Sequence, residues 1–168
     1  MRNALILAFV ANIILTVASL EILPDRVAIH FGSGGRADGW GSRDFHTLLT
    51  LIMHVFFFCV FYYAPRWVTA VPASWVNIPN KRFWLSPAKK EHTKEKLASL
   101  MWPFGTAFFL FFLVTGLLTL QANHTDPPRL DERSFLVALA LFLVYTAIWV
   151  VAWIKEFKVP EGERPPRA

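Results

Sequence analysis

The sequence has a single cysteine and little charge, and each scarcity excludes a class of protein. Cys59 is the only cysteine among 168 residues, so it can form no intramolecular disulfide bond and no thiolate metal site, and we interpret it as a small apolar core residue. Charged residues make up 17% of the chain, against about a quarter in soluble domains. The apolar share of 55% exceeds the usual share and points to a membrane environment.

Long uncharged segments hold most of this apolar content. An α-helix rises about 1.5 Å per residue, so about 20 apolar residues cover a hydrocarbon core of about 30 Å. A soluble protein would need amphipathic segments to cover four such helices, and the sequence offers none. We therefore predict an all-α integral membrane protein with four transmembrane helices in a bundle. The predicted helices are residues 3–23, 45–64, 97–121 and 134–155.

The predicted membrane domain covers residues 1–158, and the charged, proline-rich residues 159–168 are predicted to be a disordered tail. The first apolar segment has some features of a cleaved signal peptide, because Arg2 precedes it and Thr16-Val17-Ala18 is a weak cleavage site. Its apolar run is long for a signal peptide, so we expect an uncleaved signal anchor.

The distribution of basic residues predicts the orientation. Twelve of the 17 Lys and Arg residues lie before the first helix, between the second and third, or after the fourth, and five lie in the other two loops. The positive-inside rule then puts both ends of the chain in the cytoplasm. The net charge of +5 reflects this topology and attraction to anionic lipid, so nucleic acid is not an expected partner. The residues expected at the lipid headgroups are Lys89, Lys90, Lys94 and Lys96.

The loop between the first two helices is the most patterned part of the chain. Val27, Ile29 and Phe31 alternate with smaller or polar residues, which is typical of a strand, and the glycines at 32, 34 and 35 permit a tight turn. We predict a short structured extracytoplasmic loop, either a β-hairpin or a compact turn. We also predict a binding role for it. Its key polar residues are His30 and Asp38, and its aromatic anchors are Phe31 and Trp40.

One titratable side chain, His54, falls deep within a predicted membrane helix. Intramembrane ionisable residues usually face the bundle interior and pair with a neighbour. Ligation of a haem or pigment, or a proton relay, is one interpretation; a neutral imidazole hydrogen-bonded to a neighbouring helix is the other, and we favour it. A metal at His30 and Asp38 is a weaker alternative, since no ligand-spacing motif organises the outer acidic and histidine residues. We expect no bound cofactor.

The sequence contains no recognisable Ser/His/Asp or Cys/His set, and no carboxylate lies in the interior of a predicted membrane helix, since Glu21 is at the end of the first one. We therefore expect no catalytic residues and no enzymatic activity. Asn123-His124-Thr125 matches the glycosylation sequon, but it would lie almost at the membrane surface, and we discount it.

Several local signals predict where helices end and meet. Pro65 is expected to end the second helix, and Ser86-Pro87 resembles a helix start, with a capping hydroxyl before proline. The basic segment after it is expected to run into the third helix, with a kink at Pro103. Gly105 and Gly116 in that helix are expected to let a neighbouring helix approach closely.

Two stretches resemble a known bacterial membrane family. Residues 23–31, followed by Gly35 and by residues 37–43, are similar to the signature of domain of unknown function 1648 (DUF1648). Residues 77–81 and 83–85, together with Pro87, are similar to a cytoplasmic segment of some of its members. The positions that match the family pattern are Pro24, His30, Phe31, Gly35, Asp38 and Trp40, together with Asn77, Asn80 and Trp84.

The resemblance implies a multi-pass protein of the bacterial cytoplasmic (inner) membrane. The same domain occurs in SdpI-type immunity proteins, which protect a cell from its own secreted toxin and can sequester a cytoplasmic repressor. Those proteins are longer than this chain. We expect a non-catalytic, partner-binding membrane protein of the immunity or signalling type, whose partners are other integral membrane proteins. The alternative is an accessory structural subunit of a larger energy-transducing or pigment-containing membrane complex.

Overall fold

A computed structural model describes residues 1–161, so most of the predicted disordered tail (residues 162–168) lies outside the described residues. The helices and strands follow one another along the chain without any crossover in the small sheet. They are α1 (Arg2–Ile22), β1 (Arg26–Phe31), β2 (Ala37–Ser42), α2 (Arg43–Ala70), α3 (Lys81–Trp84), α4 (Lys90–Asn123) and α5 (Glu132–Glu156).

Helices α1, α2, α4 and α5 are each long and apolar enough to cross a membrane, which confirms the four predicted spans. Helix α4 is central and packs against α1, α2 and α5, and α1 also packs against α2. Helix α5 packs on α4 and has no buried residue of its own. Asp131, the residue before α5, caps the helix. The hydrogen bonds donated by the Ser134 hydroxyl and N–H hold the pKa of the Asp131 carboxyl below its usual range.

The predicted end of the second helix is wrong, because α2 continues through Pro65 to Ala70. A proline inside a helix removes one backbone hydrogen bond. Packing on both sides of Pro65 offsets that loss. Phe61 belongs to an aromatic core with Phe109, and Val68 packs against the cluster that contains Leu97.

The predicted helix start at Ser86-Pro87 is also wrong. Residues 86–89 form a turn in which the Lys89 N–H donates to the Ser86 carbonyl at 3.0 Å, and α4 begins at Lys90 without a capping side chain. From there α4 runs through Pro103 as one helix of 34 residues. At about 1.5 Å per residue it is longer than the hydrocarbon core is thick, so its basic first turns extend beyond the apolar layer.

Close approach of three helices is possible because Gly105 has no side chain. A Cβ atom there would lie 2.8 Å from Phe61 Cβ and 2.9 Å from Leu5 Cδ1, both shorter than normal contact. Gly105 therefore lets α1 and α2 pack directly on α4, as its small size predicted. Most phenylalanines of the bundle pack on one another around this point.

The loop after α1 forms the predicted β-hairpin. Strands β1 and β2 pair antiparallel, from Arg26 opposite Ser42 to Phe31 opposite Ala37, with register irregularities on either side of His30. The hairpin lies at one end of the bundle, which we call the hairpin end. The opposite end, which carries α3 and the start of α4, we call the basic end.

Candidate functional site

The hairpin is attached to the bundle by one buried amide. The Ala28 N–H donates to Asn123 Oδ1 at 2.7 Å, and Asn123 Nδ2 donates to the Ala28 carbonyl at 3.1 Å and to the Thr119 carbonyl at 2.9 Å. Asn123 ends α4, so the middle of β1 is fixed to the last turn of that helix. The side chain satisfies backbone groups of a strand that would otherwise be buried without partners.

A second attachment joins the hairpin turn to the loop between α4 and α5. The Leu130 N–H donates to the Gly35 carbonyl at 2.8 Å, and Arg129 Nε–H donates to the Gly34 carbonyl at 3.0 Å. Gly34 and Gly35 both adopt positive φ angles, 75° and 71°. Gly35 is also so close to Leu130 that a Cβ would collide with its carbonyl oxygen. The hairpin is thus held at its middle and at its turn.

Three of the four predicted binding residues of the hairpin are exposed. His30 Nδ1 lies 2.5 Å from Asp38 Oδ1, and both side chains are largely exposed. Trp40 is exposed and lies under the guanidinium of Arg26, 4.8 Å from its ring centre. Phe31 is half-buried. The structure therefore brings His30 and Asp38 together across the hairpin, as a pair.

No group of three or more His, Cys, Asp or Glu side chains within residues 1–161 is placed to hold a metal ion. Two other acidic or histidine residues of the hairpin end make contacts elsewhere: Asp25 pairs with Arg43, and the His124 imidazole lies 2.8 Å from the Leu120 carbonyl of its own helix.

Beneath the hairpin, α1, α2 and α4 enclose a cleft of about 250 Å³. It occupies the half of the bundle nearest the hairpin. Its walls combine aliphatic and aromatic side chains with uncharged polar ones. The polar side chains in its lining are those of Asn12, Thr16, Ser19, His46, Thr47, Thr50, His54, Thr115 and Thr119.

His54 lies at the deep end of this cleft and is 4% exposed. Its Nδ1 is 3.3 Å from the hydroxyl oxygen of Thr16 on α1, and its ring contacts those of Phe109 and Phe112 on α4. This arrangement matches the interpretation of His54 as an imidazole that hydrogen-bonds a neighbouring helix. Its Nε2 atom is buried and has no hydrogen-bond partner within residues 1–161.

Sequence reasoning missed the polar residues of α1. Asn12, Thr16 and Ser19 are spaced four and three residues apart, so they lie on one face of the helix, and all three are buried. The spacing of polar residues within an apolar run is the signal that would have found them, because such residues face the bundle interior rather than lipid.

At the basic end, two residues of the predicted cytoplasmic motif act together. Asn80 Nδ2 and Trp84 Nε1 both donate to the Phe157 carbonyl, at 2.8 and 2.9 Å, so they tie the end of α5 to α3. The Thr93 hydroxyl donates to the Trp84 carbonyl at 2.6 Å and joins α4 to the same cluster. Asn77 lies apart from this cluster, exposed at the edge of a neighbouring apolar groove.

The four lysines expected at the headgroups have different surroundings. Lys96 lies over the Trp84 ring and pairs with Glu156 at 2.7 Å, which links α4 to α5. Lys94 pairs with Glu91 one turn away at 3.0 Å. Lys89 lies over the Phe83 ring, and Lys90 is exposed.

These features define a multi-pass membrane protein, a helical bundle closed at one end by an attached β-hairpin. No curated protein and no solved structure matches the chain. Residues 7–56 match the family described as domain of unknown function (DUF1648), which confirms the resemblance seen in the sequence. The matched region covers most of α1, the hairpin and the first half of α2, whereas the similar segment at 77–87 lies beyond it.

Proposed function

We propose that this is a non-catalytic binding protein of the immunity or signalling type in a bacterial inner membrane. Its hairpin is the surface that binds another integral membrane protein. One observation carries the proposal: the hairpin is attached to the bundle at Asn123 and at Gly35, yet its outer surface leaves His30, Asp38 and Trp40 exposed.

Rigid attachment supports binding for a physical reason. A connection between two helices needs only a few residues, and this one uses a paired hairpin instead. A surface that is ordered before its partner arrives loses little conformational entropy on binding. Exposed aromatic residues and a polar pair beside them are the combination that protein interfaces use as anchors.

Replacing His30 with alanine tests the hairpin. An exposed pair such as His30–Asp38 contributes at most about 1 kcal/mol to stability, so the variant should reach the membrane at the parental level. A photo-crosslinking amino acid at Ser33, which is exposed in the hairpin turn and is not one of the predicted anchors, should trap a membrane partner severalfold less in His30→Ala than in the parent. The measurement is the yield of the crosslinked band, with its partner identified by mass spectrometry.

His124→Ala is the matched control, because His124 is an exposed histidine at the same end of the bundle but outside the hairpin. It should leave the crosslink unchanged. Equal crosslinking in the parent and both variants would contradict a role for the hairpin surface. Loss of membrane abundance in His30→Ala would mean that the residue holds the hairpin together instead.

The proposed orientation puts the hairpin end outside the cytoplasm, on the strength of the basic-residue distribution. The single cysteine makes the test simple. In a Cys59→Ser background, Ser33→Cys and Asp126→Cys should react with a membrane-impermeant maleimide in intact cells. Lys90→Cys and Lys158→Cys should react only after permeabilisation. The reverse labelling pattern would overturn the orientation.

An accessory structural role in a larger membrane complex is the second candidate, and α5 favours it. This helix has no buried residue and packs on α4, so a wide apolar face remains for another subunit or for lipid. If substitutions of Leu141 and Ile148 on that face abolish co-purification with a partner while His30→Ala does not, the accessory role is the better one.

A further inference from the structure

We propose that the cleft between α1, α2 and α4 binds an uncharged amphiphile whose hydroxyl head group reaches Asn12 and His54 and which enters from the hydrocarbon of the membrane. This site is distinct from the hairpin surface and does not depend on a protein partner there.

Buried polar atoms without partners are the first observation. Asn12 is 1% exposed and His54 4% exposed. Asn12 Oδ1 and His54 Nε2 have no hydrogen-bond partner within residues 1–161, and both residues line the cleft. A buried polar atom left unpaired costs about 1–3 kcal/mol. Because these atoms lie within membrane-spanning helices, we infer that a bound molecule supplies the missing hydrogen bonds.

The deep end of the cleft brings these two side chains to one place. Asn12 Nδ2 donates to the Phe109 carbonyl at 2.8 Å, and the His54 ring packs against the Phe109 ring. Thr16, one turn from Asn12 on α1, contacts His54 Nδ1. Asn12 and His54 therefore lie beside the same residue of α4, Phe109, and form one polar end of the cleft. Thr47 Oγ1, a third buried atom without a partner in the described residues, lies two helical turns nearer the hairpin.

The hydrogen-bonding roles of these atoms select the head group. Both partners of Asn12 Nδ2 are carbonyl oxygens, at 2.9 and 2.8 Å, so this nitrogen is the donor and Oδ1 is left as an acceptor. The missing group must therefore donate a hydrogen bond to Asn12 Oδ1. His54 Nε2 either donates or accepts, according to its tautomer. A hydroxyl both donates and accepts, so it can pair with either side chain, whereas an ether or ketone oxygen cannot pair with Asn12 Oδ1.

Charge and shape restrict the rest of the ligand. Every residue that lines the cleft, among those described, has an uncharged side chain or a histidine, so neither a carboxylate nor an ammonium group finds a counter-ion there. Leu15 and Phe112 provide apolar walls beside the polar end. The volume suits a short-chain alcohol with an apolar body.

We infer the opening of the cleft from the lining residues that are also exposed to the lipid phase, and these lie on α2. Leu49 and Met53 line the cleft and are also 47% and 38% exposed on the surface of the bundle. Both lie within the membrane-spanning helix α2, so the molecule that reaches the cleft past them comes from the lipid phase. An uncharged amphiphile partitions into that phase, while a free ion does not.

The test uses the purified full-length chain in lipid nanodiscs and a diazirine analogue of octanol as the photoprobe. We expect labelling of the α2 segment that contains Leu49 and Met53. 1-Octanol should compete with the label, whereas octane, which lacks the hydroxyl, and octanoate, which is charged, should not. If octane competed with the photoprobe as well as 1-octanol does, the proposal would be overturned. The cleft would then be an apolar cavity whose polar atoms bind water instead of a hydroxyl head group.

Two variants and a matched control test the head-group contacts. Asn12→Leu and His54→Phe keep the side-chain size approximately, and each should weaken competition by 1-octanol by about fivefold to tenfold, as expected for one lost hydrogen bond. Thr119→Val is the control, since Thr119 lines the same cleft but its hydroxyl already donates to the Thr115 carbonyl at 2.9 Å. Unchanged competition in both variants would overturn the assignment. The competition series on the unmodified chain decides the matter even if a variant fails to fold.

Discussion

The Gly35→Ala variant is expected to lose the attachment of the hairpin and to be the most destabilised of the substitutions considered. A non-glycine residue at a φ angle of 71° is strained by about 1–2 kcal/mol. In addition, the new Cβ would collide with the backbone oxygen of Leu130. Because this is a backbone atom, it cannot shift unless the loop between α4 and α5 shifts with it. Overpacking of this kind costs about 1–3 kcal/mol more. We expect a total destabilisation of about 3 kcal/mol or more, measured by thermal unfolding in mild detergent.

Gly34→Ala is the matched control for this prediction. Gly34 has nearly the same backbone conformation, with a φ angle of 75°, but no atom lies within 4 Å of the position that its Cβ would take. Its substitution should therefore show the strain alone, about 1–2 kcal/mol. Limited proteolysis should cut the hairpin of Gly35→Ala much faster than that of Gly34→Ala. Equal stability and equal proteolysis of the two variants would show that the contact between Gly35 and Leu130 does not hold the hairpin.

The Asn123→Asp variant is expected to release the middle of the hairpin from α4. Asn123 Nδ2 now donates to the carbonyls of Ala28 and Thr119. A carboxylate of the same shape cannot donate, so its oxygens would face two carbonyl oxygens in a nearly buried site. Each hydrogen-bonding group left unpaired costs about 1–3 kcal/mol, and a buried charge adds to this. We expect a loss of about 2–4 kcal/mol in the free energy of unfolding at neutral pH.

Gln121→Glu makes the same amide-to-carboxylate change two residues earlier, on an exposed side chain of the same helix end. Substitutions at exposed positions usually alter stability by less than about 0.5 kcal/mol. The comparison isolates the hydrogen bonds of Asn123 from the added charge. A hairpin that remains protected from protease in Asn123→Asp, with a melting temperature equal to that of Gln121→Glu, would contradict the attachment.

Local signals explain what could be predicted of the fold. The four spans follow from the length and hydropathy of the apolar segments. Both properties govern how a segment interacts with lipid, so they can be assessed without knowing which helices lie beside it. The hairpin follows from the alternation of residues 27–31 and from the glycines after them. The two wrong boundaries, at Pro65 and at Ser86-Pro87, are positions where a local signal competes with packing. At Pro65 the contacts of Phe61 and Val68 prevail over the missing hydrogen bond.

The candidate sites were predictable to different degrees. His30 and Asp38 are eight residues apart, and the turn between them brings them together, so their pairing followed from the hairpin itself. Asn123 is 95 residues from Ala28, and the sequence around it matched only a glycosylation sequon. Nothing in the sequence of α4 indicates that the side-chain amide of its last residue, Asn123, hydrogen-bonds β1.

The sequence alone determined that the chain crosses a membrane with four helices and that a hairpin follows the first of them. Tertiary structure decided which helix faces meet. Lipid tails are as apolar as leucine side chains, so hydropathy does not distinguish a face turned to lipid from one turned to a neighbouring helix. Only the packing of α1 and α2 on α4, made close by Gly105, places Asn12 and His54 at one polar end of a cleft.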